Sequence, residues 1–361
     1  MTSKFDAIVI GTGQAGAPLA SRLADEGQRV AVIERKHFGG TCVNVGCVPT
    51  KTLVASAEIA HKARRAAEYG VMTGEVAVDM GRVKARKDEI VMRGRRGVTK
   101  WMEGLENGKV FRGHARFTHP NRVAVDGEEL EAGRIFINTG GRATVPSIAG
   151  IDKVDYLTNS TIMELAEVPK HLIIVGGSYI GLEFAQMFRR FGAAVTVVEM
   201  ADRLIAREDP DVSDGVKAIL EDEGIEIRLA AKCLAVEGRG GAIAMGLACG
   251  DGPPEIVGSH LLLAVGRRPN SDDLGLDKAG VAIDARGYIT VDEQCRTSVP
   301  GIWAIGDVNG RGAFTHTSYN DYEIVVANLF DNDPRKLSDR IPCYALFVDP
   351  PLGRVGITAT E

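Results

Sequence analysis

The sequence predicts an α/β protein in which one strand–turn–helix–strand unit occurs twice. The first copy begins with an apolar run at residues 5–10, and a glycine-rich turn follows it at once. The second copy begins at Leu172, which corresponds to Ala7 with a shift of 165 residues, and it repeats the same order of elements without a gap. A third observation is the glycine content, which is 43 of 361 residues, or about 12%, and so exceeds the usual ~7%. Glycines without a collagen period indicate tight turns and close backbone approach.

The first unit has the residue types that a dinucleotide-binding fold requires. The turn after its first strand contains Gly11, Gly13 and Gly16. In this fold the first glycine makes the tight turn, the second lets the backbone approach a pyrophosphate, and the third allows close helix–strand packing. The helix pattern ends at Gly27, and the next strand is closed by Glu34, whose carboxylate can accept hydrogen bonds from ribose hydroxyls. We therefore expect a nucleotide at this turn.

The second unit matches the first, with one departure. Gly176 and Gly181 repeat the outer glycines and Glu199 repeats the acid, whereas Ser178 stands in place of the middle glycine. We expect a slightly more distant pyrophosphate there, with binding retained. The carboxylate of Glu199 would repel a 2′-phosphate, so the sequence predicts NADH rather than NADPH as the ligand. Arg203, four residues on, would weaken this preference.

Two closely spaced cysteines, Cys42 and Cys47, follow the first unit. A disulfide needs Cα atoms within about 7 Å, which a regular helix does not allow at this spacing, so the segment must coil tightly. Gly46 permits the turn, and Pro49 suits the first turn of a following helix, whose N-terminus would lower a thiol pKa. A redox pair is favoured over a zinc site, which needs four ligands, and over an inert pair. Buried, inert thiols are expected at the remaining cysteines, which are Cys233, Cys249, Cys295 and Cys343.

Composition excludes several functional classes. The formal charge of −5 argues against non-specific nucleic-acid binding. No apolar run approaches the ~18 residues of a membrane helix, and a strand begins where a signal peptide would lie, so we expect a cytoplasmic protein without a membrane partner. The basic residues 82–100 are interpreted as a solvated helix face. A hairpin with its turn at Pro350 is expected near the end of the sequence, with apolar edges left unpaired.

The segment 39–51 closely resembles the redox-disulfide motif of the class I pyridine nucleotide–disulfide oxidoreductases. This family includes dihydrolipoamide dehydrogenase, glutathione reductase and mercuric reductase. Further family motifs occur in the same order at residues 138–141, 264–270 and 301–307, so the resemblance covers essentially the whole chain. The residues at 42–51, 314–321 and 349–353 are most similar to the mercuric reductase-like branch.

The resemblance implies a glutathione reductase-like fold with two Rossmann-like domains for FAD and NAD(P). It predicts an FAD-binding domain at residues 1–150 and 280–335, interrupted by an NAD(H)-binding domain at 151–279. Residues 336–361 would begin an α+β interface domain, which in this family forms the dimer and supplies a His–Glu acid/base pair. A homodimer is implied for a chain with the whole interface domain, and dimerisation of these 361 residues alone is left open.

The resemblance also implies site residues. The FAD-binding residues would be Gly11, Gly13, Gly16, Glu34, Arg35, Thr41, His114, Ala115, Thr139, Gly140, Asp307 and Thr315. The NAD-binding residues would be Gly176, Ser178, Ile180, Gly181, Glu199 and Gly266. The catalytic residues would be Cys42, Cys47, Lys51, Tyr179, Glu183 and His316, and no metal site is expected.

The implied activity is FAD-dependent transfer of a hydride from NADH to a Cys42–Cys47 disulfide and on to a disulfide or metal-ion acceptor. Cys47 would be the sulfur beside the flavin and Cys42 the interchange thiol. Lys51 and Glu183 would form an ion pair beside the flavin, and Tyr179 would cover the flavin until the nicotinamide arrives. Two alternatives remain open, which are a two-nucleotide fragment without turnover and an enzyme with only diaphorase or NADH oxidase activity.

Overall fold

A computed structural model of the chain describes residues 2–248 and 253–360. Its strands are β1 (Thr2–Ile10), β2 (Val30–Glu34), β3 (Gly108–Arg112), β4 (Arg116–His119), β5 (Arg122–Val125), β6 (Glu128–Ile137), β7 (Gly141–Ala143), β8 (His171–Val175), β9 (Ala194–Val198), β10 (Glu226–Arg228), β11 (Lys232–Arg239), β12 (Ala242–Ala248), β13 (Glu255–Gly258), β14 (His260–Leu263), β15 (Arg267–Pro269), β16 (Ile302–Ala304), β17 (Cys343–Leu346) and β18 (Leu352–Val355). Its α-helices are α1 (Gly16–Asp25), α2 (Gly40–Val45), α3 (Cys47–Arg65), α4 (Met80–Glu103), α5 (Tyr179–Phe191), α6 (Pro210–Asp222), α7 (Leu276–Ala279) and α8 (Thr315–Leu329).

The chain divides into two compact units, each built from three segments. The first unit comprises Met1–Cys47, Val91–Arg142 and Arg267–Arg340, and the second comprises Val48–Ile90, Ala143–Gly266 and Ile341–Glu361. These bounds differ from the predicted domains mainly at residues 48–90, which group with the second unit.

A predominantly parallel sheet forms the centre of the first unit. Its strand order is β3-β2-β1-β6-β5-β4, with β16 also pairing with β6. β1 pairs in parallel with both β2 and β6, so the connections run in opposite directions from β1. Both faces of the sheet are covered by apolar cores, and Ile8 and Val9 on β1 are fully buried on opposite faces. In such sheets, ligands bind at the carboxyl ends of the strands where the order reverses, which here is between β1 and β6.

The second unit repeats this plan in a smaller sheet. Its parallel strands have the order β10-β9-β8-β14, so the order reverses between β8 and β14. α5 is buried along most of its length and ends at Gly192, whose φ of 117° closes the helix. A separate antiparallel sheet, β11-β12-β13, belongs to the same unit.

The predicted hairpin near Pro350 is present. Its short strands β17 and β18 form a separate two-stranded sheet, so their outer edges pair with no other described strand, while Leu346 and Val348 are buried in a core of the second unit. Helix packing therefore accounts for one face of the hairpin. Val355 and Ile357 are exposed.

The basic helix is also not wholly solvated. The Lys87 side chain on α4 is only 3% exposed, and its ammonium lies 3.1 Å from Glu164. A buried ammonium needs such a partner because desolvation of an unpaired charge is costly. The interpretation of residues 82–100 as one solvated face is therefore wrong at Lys87.

Gly11→Ala should destabilise the protein by about 1–3 kcal/mol, the usual cost of overpacking. Gly11 has a φ of 99°, and a Cβ atom there would lie 2.3 Å from the carbonyl oxygen of Asn138. Urea denaturation measures the effect. Gly97→Ala in α4 is the matched control, because it meets no atom within 4 Å and should stabilise by about 0.5–1 kcal/mol. Equal unfolding midpoints for the two variants would contradict the prediction.

Candidate active site

The two cysteines are brought together by a break between two helices. Cys42 lies in α2, and Cys47 is the first residue of α3. Gly46 separates the helices with a φ of −135° and a ψ of −123°. A Cβ atom on Gly46 would lie 2.8 Å from the carbonyl oxygen of Thr41 and 3.2 Å from the Cα of Cys42. The tight coil that the cysteine spacing requires therefore depends on a glycine at this position.

The two thiols differ in their surroundings. Cys42 is half-buried, whereas Cys47 is exposed and its Sγ lies 3.0 Å from Oγ1 of Thr315 at the start of α8. A hydrogen bond with Cys47 raises the pKa of the Cys42 thiol well above its usual value, and burial raises it further. Cys42 lies in α2, before the helix N-terminus that was expected to lower a thiol pKa, and Cys47 is the residue at that N-terminus. The structure holds both residues as thiols within hydrogen-bonding distance.

The cysteine loop is supported by two residues that the sequence did not single out. The Nδ2 of Asn44 donates to the carbonyl oxygens of Phe38 and Gly40, both at 2.9 Å. Arg95 on α4 donates from Nε to Oδ1 of Asn44 at 2.8 Å. Asn44 thus ties the helix that contains Cys42 to the chain before it. An asparagine inside a short helix near glycines was the signal that could have identified it.

The first glycine turn has no room for side chains. A Cβ on Gly16 would lie 2.1 Å from the carbonyl oxygen of Gly11, and a Cβ on Gly13 would lie 2.9 Å from Oδ1 of Asn138. The same Oδ1 accepts a hydrogen bond from the N–H of Gly16 at 2.9 Å. The Nδ2 of Asn138 donates to the carbonyl oxygen of Ile305 at 3.0 Å. Asn138, to which the sequence motif at 138–141 assigns no individual role, is therefore the residue that braces this turn.

Glu34 lies at the end of β2, beside the same turn. Its carboxylate accepts from the backbone N–H of Thr12 at 3.1 Å, from the Thr12 hydroxyl at 2.7 Å and from the N–H of Lys36 at 3.0 Å. Arg35 pairs with Asp273 at 2.9 Å, and Nε2 of His114 lies 3.0 Å from the carbonyl oxygen of Asp273. The predicted FAD-binding residues Glu34, Arg35 and His114 thus all lie in the first unit.

Asp307 occupies the turn after β16. Burial raises the pKa of its carboxyl, while Arg267 at 3.8 Å and the Ser318 hydroxyl at 3.3 Å act in the opposite direction. Its turn is held by Asp321, which is 2% exposed and accepts from the N–H of Gly306 at 2.8 Å. Asp321 also pairs with Arg340. Asp321 is a further supporting residue that sequence reasoning did not assign.

The other residues predicted for FAD also belong to the first unit. The Thr139 hydroxyl donates to the carbonyl oxygen of Asn270 at 2.8 Å, and the carbonyl of Gly140 accepts from the N–H of Asn270 at 2.9 Å. Ala115 is buried, Thr41 lies in α2 and Thr315 begins α8. His316 is exposed, and its ring stacks on that of Phe314 with centroids 5.5 Å apart.

The second glycine turn reproduces the first. A Cβ on Gly181 would lie 2.0 Å from the carbonyl oxygen of Gly176. Glu199 accepts from the N–H of Gly177 at 2.6 Å and from the N–H of Ala201 at 2.8 Å. Ser178 is exposed in extended conformation directly before α5. Ile180 is half-buried and Gly266 has a φ of 119°, so all predicted NAD residues lie in the second unit.

An ion pair lies within the second unit. Nζ of Lys51 on α3 is 2.7 Å from Oε2 of Glu183 on α5, and the Glu183 side chain is 8% exposed. Tyr179, at the start of α5, packs against Tyr344 with ring centroids 5.7 Å apart. The predicted pairing of Lys51 with Glu183 is therefore present in the structure.

The cysteines outside the pair do not all match their predicted burial. Cys295 is buried, Cys233 is half-buried and Cys343 is exposed, so the expectation of a buried thiol is wrong for Cys343. Cys249 lies outside the described residues. Within residues 2–248 and 253–360 there is no group of three or more His, Cys, Asp or Glu residues that could hold a metal ion. The same residues include no helix with the length and apolar character needed to cross a membrane.

Comparison with known proteins identifies the family to which the chain belongs. A family profile described as "Pyridine nucleotide-disulphide oxidoreductase" matches residues 5–321. The chain belongs to this family. It is accordingly an enzyme of the flavoprotein oxidoreductase type, and the predicted family and fold class are confirmed.

Three relatives each match almost the whole of this chain and about three quarters of their own length. A mercuric reductase of Streptomyces lividans is 38% identical over 99% of this chain and 76% of its own length. The probable pyridine nucleotide-disulfide oxidoreductase RclA of Escherichia coli is also 38% identical, over 99% of this chain and 78% of its own. A dihydrolipoyl dehydrogenase of Chlorobaculum parvum is 36% identical over 99% and 77%. A solved structure, the Cu(II) complex of the HOCl-induced flavoprotein disulfide reductase RclA from Escherichia coli, superposes with a TM-score of 0.91 at 36% identity, covering 99% of this chain and 78% of that one.

Cys47→Ala should lower the pKa of Cys42 toward the ordinary thiol value of about 8.5, because it removes the hydrogen bond that raises that pKa most. The pH profile of Cys42 alkylation by iodoacetamide, followed by mass spectrometry on the reduced protein, should shift to lower pH. Cys343→Ala is the control and should leave the profile unchanged. An unchanged profile in Cys47→Ala would contradict the prediction.

Proposed function

We propose that the chain is an NADH-dependent flavoprotein that reduces a Cys42–Cys47 disulfide and passes the electrons to a disulfide or metal-ion acceptor. The observation that supports it most strongly is the cysteine loop. The break at Gly46 brings the two thiols within hydrogen-bonding distance, with Cys47 exposed beside the start of α8.

The residues of the first unit fit FAD. The turn at Gly11, Gly13 and Gly16 excludes a Cβ and begins α1, whose N-terminal dipole favours a pyrophosphate. Glu34 offers a carboxylate to ribose hydroxyls, and the carboxyl of Asp307, whose pKa is raised by burial, suits a further hydroxyl partner. When bound, FAD supplies two-electron exchange between a nicotinamide and a dithiol. Arg35, Thr41, His114, Ala115, Thr139, Gly140 and Thr315 are proposed to complete this site.

The second unit is proposed to bind NADH. Gly176 and Ser178 precede α5, Gly181 lies in its first turn, and Gly266 follows β14. Ile180 is proposed to pack beside the nucleotide. The carboxylate of Glu199 disfavours a 2′-phosphate.

The cysteines and ionic groups have separate proposed roles. The Cys42–Cys47 disulfide takes up two electrons and two protons to become a dithiol, with Cys47 the flavin-side sulfur. Cys42 then attacks the acceptor, and the two electrons leave with it as the disulfide re-forms. Lys51 and Glu183 place a fixed charge pair in the reductive site, by which we mean the site where the nicotinamide delivers its hydride. Tyr179 covers this site when no nicotinamide is bound. His316 is the second residue of α8, whose N-terminal dipole would stabilise negative charge.

The acceptor is proposed to be a metal ion or a disulfide compound. A disulfide acceptor takes up two electrons and two protons to give two thiols, and Hg(II) takes two electrons to give the metal. Among the relatives, one is named for mercuric ion and one for dihydrolipoyl groups, and the RclA structure is a Cu(II) complex. Steady-state NADH oxidation with Hg(II), Cu(II), lipoamide and glutathione disulfide distinguishes these acceptors.

Titration of the flavin-loaded protein with NADH should bleach the flavin and produce two thiols that iodoacetamide labels at Cys42 and Cys47. A thiolate-to-flavin charge-transfer absorbance should develop at long wavelength, and Cys47→Ala should abolish it. Cys42→Ser should stop acceptor reduction while the flavin still bleaches. If Cys42→Ser reduced every acceptor at the rate of the unchanged protein, the chain would instead be a diaphorase or NADH oxidase.

The chain should have a kcat/KM for NADH at least roughly tenfold above that for NADPH, since the like-charge repulsion at Glu199 amounts to about 1.4 kcal/mol or more. Glu199→Gln should narrow the difference by raising the NADPH value. Glu226→Gln, on the neighbouring strand β10, is a control for general loss of charge. Equal values for both nucleotides in the unchanged protein would overturn the preference.

A further inference from the structure

We propose that Phe347 is a positioning residue for the Lys51–Glu183 ion pair. The inference rests on the proposed function only where it assigns that pair to the reductive site. Its structural basis is a set of contacts inside the second unit, between helix α5 and the hairpin segment that follows residue 341.

One face of α5 is bound along its length by the hairpin segment. Tyr179, Glu183, Gln186 and Arg190 lie at spacings of four, three and four residues, so their side chains share a face. Tyr179 packs against Tyr344, and the other three residues bind positions 347–349 through the hydrogen bonds described next. The hairpin is therefore registered against the helix that contains Glu183.

The C-terminal half of this face of α5, which contains Gln186 and Arg190, binds the hairpin segment and fixes its backbone. The amide of Gln186 forms two hydrogen bonds with the backbone of Asp349, donating to its carbonyl oxygen at 3.0 Å and accepting from its N–H at 2.8 Å. Arg190 donates to the Asp349 carboxylate at 2.9 Å. Leu346 and Val348, on either side of Phe347, are buried. The backbone at Phe347 is thus held by its neighbours and does not depend on the Phe347 side chain.

Phe347 contacts both members of the ion pair. Its N–H donates to Oε1 of Glu183 at 3.0 Å, while Oε2 of Glu183 accepts from Lys51. The Nζ of Lys51 lies 4.3 Å from the centroid of the Phe347 ring, a distance at which an ammonium is attracted to the aromatic face. Both carboxylate oxygens of Glu183 are therefore engaged, and the ammonium is held between a carboxylate and a ring.

The exposure of Phe347 argues against a role only in the core. Its side chain is 44% exposed, although it is large and apolar. An aromatic ring that stays half in water gains only part of its burial energy, so its contact with Lys51 is the feature that explains its placement. The ring restricts the Lys51 side chain to one position. With Glu183 as its only partner, the long lysine side chain would adopt several rotamers.

The test measures Lys51 directly, by competitive acylation of the whole protein and mass spectrometry of each lysine. Phe347→Leu removes the ring but keeps the backbone N–H, and should raise the Lys51 labelling rate about two- to fivefold, the factor that corresponds to an exposed cation–π contact. Phe347→Tyr keeps the ring and should match the unchanged protein. Lys109, whose Nζ lies 4.5 Å from the Phe111 ring, is an internal control that should not change.

A second readout connects the residue to the reaction. Stopped-flow bleaching of the bound flavin by NADH should slow about two- to fivefold in Phe347→Leu, with an unchanged urea midpoint and with Phe347→Tyr unaffected. Trp101→Leu, which removes an aromatic ring of similar exposure in α4, should change neither readout. Unchanged Lys51 labelling in Phe347→Leu overturns the inference. Absence of flavin bleaching in every protein, with Lys51 labelling still raised, overturns the proposed function and leaves the positioning role intact.

Discussion

Both nucleotide turns depend on a backbone approach that a side chain would prevent. A Cβ on Gly11 would lie 2.3 Å from the carbonyl oxygen of Asn138, and a Cβ on Gly176 would lie 2.5 Å from that of Ala264. Each contact joins the turn after the first strand of a unit to the chain leaving the neighbouring parallel strand. It therefore occurs where the strand order reverses, and it forms the crevice in which a ligand of such a sheet binds.

Desolvated charge is the second common feature, and three buried or half-buried carboxylates are each held by at least two donors. Glu183 binds Lys51 and a backbone N–H, Asp321 binds Arg340 and the Gly306 turn, and Glu199 binds two backbone N–H groups. A carboxylate taken from water without such partners would be costly. These groups are consequently oriented before any ligand arrives, which reduces the ordering that binding must accomplish.

Sequence reasoning succeeded where the signal is local. The glycine turns, the helix ends at Gly27 and Gly192, and the break at Gly46 follow from residue types a few positions apart. Where the partner is distant, it succeeded only through the family resemblance, as for Lys51 and Glu183, and otherwise failed. Asn138 binds Gly16 across 122 positions and Phe347 binds Glu183 across 164, and neither pairing has a local periodicity. The exposure of Cys343 and the burial of Lys87 were missed for the same reason, since both depend on what packs against them.

The discontinuity of the first unit has a consequence for the order in which the chain is made. Strand β6 ends at Ile137, but its partner β16 begins only at Ile302, and the Ile305 carbonyl that binds Asn138 follows. At ribosomal speeds the gap takes on the order of ten seconds, during which the parallel sheet of the second unit, complete at Leu263, can already form. The edge of β6 that later pairs with β16 therefore stays unpaired in the nascent chain while the sheet of the second unit folds. During this interval the unpaired edge is a segment that a chaperone could bind.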